Sequence, residues 1–234
     1  MKIAKTIFIM GLMSPMTTSL ALAQSTTNQV YIEQIGDASN IILNQTGQSN
    51  RIGTTDQTRL LLQGNNQTVT VNQTGNENTV QGQIKTANNV DSTITQTGDE
   101  NTVTLDQGDS VSVAGSTQTI TVIGNLNTAS LTQGDIASST NALQTIAITG
   151  DQNAYTSVIN ADDVVNDVAV VGDSNTVSML QNGYAGKNVE LNVTGNSNTH
   201  TIQQKSTLNV DTLKINTTGN SSTVAVTQCN PGGC

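Results

Sequence analysis

The chain reads as an all-β protein, a β-solenoid of about eight stacked strand-turn-strand coils. Three observations carry that prediction. Gly-x-x-Asn recurs at Gly47, Gly75, Gly98, Gly124, Gly150, Gly172 and Gly195, and Gly219 opens a further copy ending in Ser222. The intervals are 28, 23, 26, 26, 22, 23 and 24 residues. Units of that length bury a core only by stacking on their own copies. Apolar and polar residues alternate with period two on both sides of each turn, as in strands with one buried face.

The first 23 residues have the pattern of an export signal. Lys2 and Lys5 precede a short apolar stretch, Ile7 to Met16, and Ala21-Leu22-Ala23 stands before Gln24. That stretch is too short and interrupted to span a bilayer. The expectation is a secreted protein with no membrane insertion. Residues 24–30 would be a short N-terminal leader, 31–228 the repeat solenoid, and 229–234 a C-terminal cysteine loop.

Within a repeat, the position four before the glycine is always aliphatic: Leu43, Val71, Ile94, Ile120, Ile146, Val168, Leu191 and Ile215. This is the predicted core column. Two before the glycine stand Gln45, Gln73 and Gln96, then Val122, Ile148, Val170, Val193 and Thr217. Stacked identical amides bond one another, so the three glutamines are read as an amide ladder. The turn pairs Gly47 with Asn50, Gly75 with Asn78, Gly98 with Asn101 and Gly124 with Asn127. It continues with Gly150 and Asn153, Gly172 and Asn175, and Gly195 and Asn198. Glycine adopts backbone angles other residues resist, and Asn bonds local backbone in turns. Beyond the turn a second strand buries Ile52, Val80, Val103, Ala129, Tyr155, Val177, His200 and Val224.

The formal net charge is −9, with 8 basic residues in all, which argues against nucleic acid as a partner. No catalytic constellation is visible. The single histidine, His200, falls in an inward column, and the abundant Asp, Ser and Thr follow the rhythm of the repeat. No cofactor motif and no metal site is expected; Asp162-Asp163 with Asp167 reads as a solvated loop. Asp99, Asp109, Asp135, Asp151 and Asp173 sit beside turns, as gatekeepers against premature assembly or as solvated turn residues. Cys229 and Cys234 leave three readings open: a small disulfide loop, a pairing between subunits, or a poor metal site.

The repeat resembles that of the curlin family, the subunits of curli amyloid fibres. The family's unit is Gln-x-Gly-x-x-Asn-x-Ala-x-x-x-Gln, and Gln96-Thr97-Gly98, Asn101, Val103 and Gln107 come close to it. Gly124-Asn127-Ala129-Gln133, Gly172-Asn175-Val177-Gln181, Gly195-Asn198-His200-Gln204 and Gly219-Ser222-Val224-Gln228 are partial copies. The chain departs from the pattern where Val or Ile replaces the first Gln. The resemblance implies a secreted subunit or nucleator that adds end to end into extracellular cross-β fibrils, for surface adhesion and biofilm matrix. It also implies self-association, a related curlin-type subunit and a dedicated outer-membrane exporter as partners. The open ends of any uncapped solenoid point the same way, because unpaired strand edges template further strands. The alternative is a monomeric β-solenoid adhesin, or an ice- or crystal-surface binder using the threonine ladder Thr70, Thr93, Thr119 and Thr145.

Overall fold

The computed structural model describes residues 7–11, 17–20, 28–37, 39–54, 59–108, 112–134, 139–183, 186–205 and 211–229. Among them all regular structure is β-strand. The strands stack in parallel into two sheets, and the Gly-x-x-Asn turns carry the chain from one sheet to the other.

The leading sheet holds the strands that precede each turn. In stacking order they are Thr17–Leu20, Asn40–Thr46, Thr68–Thr74, Asp91–Thr97, Thr117–Ile123, Leu143–Thr149, Val165–Val171, Lys187–Thr194 and Asp211–Thr218. The trailing sheet begins with Ile7–Gly11, Gln29–Ile35, then Arg51–Ile52 with Leu60–Asn65, and Thr79–Asn88. It continues through Thr102–Gln107, Thr128–Gln133, Ala154–Asn160, Thr176–Asn182, Thr199–Lys205 and Thr223–Cys229. The eight glycine-marked coils are therefore one column, about 40 Å tall at the usual strand spacing.

The register keeps like over like. Leu43 pairs Val71, Val71 pairs Ile94, Ile94 pairs Ile120, and Ile120 pairs Ile146. Val168, Leu191 and Ile215 follow in the same column. From Val71 to Leu191 these side chains are 0–1% exposed; Leu43 and Ile215 are half-buried at the two ends. Each fully buried aliphatic contributes roughly 1.5–3 kcal/mol. The stripe repeats in every coil, so one continuous core runs between the sheets.

Variable repeat length is absorbed in one place. Extra residues fall between Ile52 and Leu60, between Gln107 and Val113, and between Gln133 and Ser139, all in the trailing sheet. Pairing resumes beyond all three, where Leu60 meets Ile32, and Val113 meets Ala87 on one side and Ser139 on the other. Because the strands on both sides of each insertion pair in the same sheet, no inward column is shifted to the wrong face.

At the N-terminal end the first strand of the column proper opens at Gln29, inside the predicted 24–30 leader, because Gln29 and Val30 pair Arg51 and Ile52. Ile7–Gly11 and Thr17–Leu20 lie against Gln29–Ile35 and Asn40–Thr46. Lys2, Lys5, Ala21-Leu22-Ala23 and Gln24 lie outside the described residues.

Candidate functional site

The features that set this chain apart are its ladders, and they begin at the turn. At Gly124 the backbone has φ +122°, and a Cβ there would stand 2.0 Å from the carbonyl oxygen of Gly150 in the next coil. The requirement for glycine is thus doubled, by backbone angle and by the close approach of the neighbouring coil. The third turn residue is left-handed throughout, even where it is Leu126 (φ 59°) or Gln152 (φ 58°).

The turn asparagines bind coil to coil. Asn101 Oδ1 accepts the backbone N–H of Asn127 (3.1 Å), and Asn101 Nδ2 donates to Gly124 O (2.7 Å). Asn50, Asn78, Asn127, Asn153 and Asn198 make the same forward pair of bonds. Asn175 Oδ1 accepts the N–H of Asn198 (3.0 Å). All seven are 0–1% exposed. Ser222 occupies the eighth position.

A second ladder runs one residue after the glycine, on the exposed rim. Asp99 Oδ1 accepts the Asn76 N–H (2.7 Å), Asp151 Oδ1 the Asn125 N–H (2.7 Å), and Asp173 Oδ1 the Asp151 N–H (2.8 Å). These three aspartates are turn-to-turn acceptors, a role that the choice between gatekeeper and solvated residue left out. Asp162 likewise accepts from Thr140 N and Oγ1, both at 2.8 Å. Asp109 and Asp135 lie outside the described residues.

The glutamine ladder is formed inside the column. Gln45 Nε2 donates to Gln73 Oε1 and Gln73 Nε2 to Gln96 Oε1, each at 2.8 Å. Gln73 and Gln96 also bond the backbone carbonyls of Asn78 and Asn101. Gln73 and Gln96 therefore each tie two coils and their own turn together.

Sequence reasoning missed a polar seam further from the turn. Ser92, Gln118, Gln144 and Asn166 follow one another in the leading sheet, each buried. Opposite them Gln107 Nε2 bonds Gln133 Oε1 (3.1 Å), which also accepts from Gln118 Nε2 (2.7 Å). Tyr155 Oη accepts from Asn166 Nδ2, and burial pushes the phenol pKa up to about 12. His200 is buried below Val177 and above Val224, with Nε2 2.9 Å from Thr217 Oγ1. Burial lowers its pKa.

The outer faces carry hydroxyls. Thr70, Thr93, Thr119 and Thr145 are register neighbours, and the line ends at Asp167, Glu190 and Lys214. The Lys214 ammonium pairs with Glu190 at 2.8 Å and lowers its pKa. Thr102, Thr128, Thr176, Thr199 and Thr223 form a longer line on the other sheet, interrupted by Ala154.

The two ends differ from the interior. A Cβ on Gly219 would meet nothing within 4 Å, whereas every other turn glycine faces the next coil's glycine carbonyl. Cys229 is disulfide-bonded; the other cysteine of the chain, Cys234, lies outside the described residues. Among the described residues no group of three or more His, Cys, Asp or Glu is placed to hold a metal ion. Comparison with protein-family models, curated proteins and solved structures found no match to this chain.

Proposed function

We propose that this chain is a structural subunit that stacks end to end into cross-β fibrils outside the cell, in the manner of the curlin repeats it resembles. One observation carries the reading. The coil-to-coil ladders of backbone, asparagine and glutamine repeat through the column, and at Gly219 the last described turn has no neighbour over it. A second copy offers the same parallel edge that each coil already offers the next. The lysine-led apolar start supports export, and the turn carboxylates keep the flanks soluble while the ends associate.

Purified protein, diluted from denaturant, tests this by size exclusion and electron microscopy across a range of concentrations. Unbranched fibres that lengthen with concentration support the reading. A column that stays monomeric at every concentration contradicts it. The two threonine lines favour a second reading, a monomeric column that binds ice or another ordered surface through a flank. Thermal hysteresis in solutions of monomer would select it.

A further inference from the structure

The polar groups at the two ends of the column match each other. One inward line of the trailing sheet runs Gln34, Leu62, Ile84, Gln107, Gln133, Ile159, Gln181, Gln204 and Gln228. Of the three adjacent amide pairs in it, two bond with Nε2 donating forward, Gln107 to Gln133 (3.1 Å) and Gln204 to Gln228 (2.9 Å), while Gln181 and Gln204 make no bond to each other. The Gln228 oxygen is thereby used, and its Nε2 is the donor that the line has left to pass on. At the other end Gln34 is 6% exposed, and its Oε1 has no hydrogen-bond partner. A buried acceptor left in that state is costly. The strand Ile7–Gly11 lies against it, but the residue facing Gln34 is Gly11, which has no side chain to answer it.

We infer that a second copy of this chain docks its Thr223–Cys229 strand on Gln29–Ile35, in place of Ile7–Gly11, and that Gln228 Nε2 donates to Gln34 Oε1 across the junction. The inference rests on the fibre reading and adds the identity and register of the two faces. Continuing the internal register puts Val224 on Val30 and Val226 on Ile32, so aliphatic meets aliphatic on both sides of the new amide bond. It also puts Ser222 where an asparagine fastens every interior coil. Asn198 Oδ1 accepts the Ser222 N–H, but serine carries no amide to send forward to the next coil's carbonyl. The junction is thereby held by strand pairing and one amide bond, and is the weakest link in the fibre.

The test is seeded elongation by the purified protein and by Gln34→Leu, Gln228→Leu and the double variant, with circular dichroism confirming a folded column in each. Gln34→Leu removes no partner from any group in the single chain, yet elongation should slow on the order of tenfold, because the Gln228 amide is buried unanswered. Replacing both partners removes both orphans at the junction. Gln204 Nε2 loses its Gln228 acceptor in the Gln228→Leu and double variants alike, so the double variant should elongate no more slowly than Gln228→Leu alone. Ser222→Asn should speed elongation. Fibres whose rates ignore Gln34→Leu, or whose two single effects simply multiply, overturn the junction and leave the fibre reading standing. A wild-type protein that forms no fibres overturns both.

Discussion

At the residue scale, the turn glycines and asparagines are where sequence and stacking meet. Gly124→Ala should prevent folding of the column, since its methyl group would overlap the Gly150 carbonyl; loss of cooperative urea unfolding reads this out. Leu126 holds a left-handed angle and is 48% exposed. Asparagine tolerates that angle better, so Leu126→Asn should raise stability by about 0.5–1 kcal/mol in the same titration. His200 gives a pH dependence. Its folded pKa lies below the ordinary 6.5 because burial disfavours the imidazolium. The unfolded chain therefore takes up the proton first, and stability that is full above pH 6.5 falls as pH drops below it. His200→Val, which matches its column neighbours, should flatten that fall; an unchanged pH profile would remove histidine as its cause.

At the element scale, the strand is the unit that tolerates or rejects change. Ile120→Asp or Ile146→Asp sets an unpaired charge in a fully buried column and should abolish ordered assembly, while Thr121→Asp on the outer face should not. Normal fibres from both inward variants would contradict the facing assigned to these strands. Gln73→Leu leaves the Gln96 oxygen unanswered and the Gln45 amide with only its 3.4 Å bond to the Gln29 carbonyl, and should cost about 2–3 kcal/mol in urea unfolding. The core column and the glutamine positions were legible in the sequence because each keeps a fixed offset from its glycine. The seam of Ser92, Gln118, Gln144 and Asn166 was not, because polar residues six before the glycine read as surface until the facing strand is in view. The rim bonds of Asp99, Asp151 and Asp173 were hidden for a related reason. A carboxylate beside a turn reads as solvated until the coil next to it is placed.

At the scale of the whole molecule, the column is a one-dimensional stack in which each coil rests on its neighbours. Interior coils are fastened on both sides, so the ends decide whether a single chain is sufficient or only a segment of something longer. Period and alternation were enough to read the solenoid, because eight aligned copies suppress the ambiguity of any one. The ends were not legible that way. What they do depends on single departures from the repeat, such as Ser222 for asparagine and Gly11 opposite Gln34.

The measurement that bears most directly on the central claim is X-ray diffraction from an aligned specimen of the assembled protein. Coils stacked along the fibre predict a meridional reflection near 4.8 Å, from strands perpendicular to the axis, with an equatorial reflection near 10 Å between sheets. Fibres whose 4.8 Å reflection lies on the equator, or protein that yields no oriented specimen because it remains monomeric, would contradict end-to-end stacking.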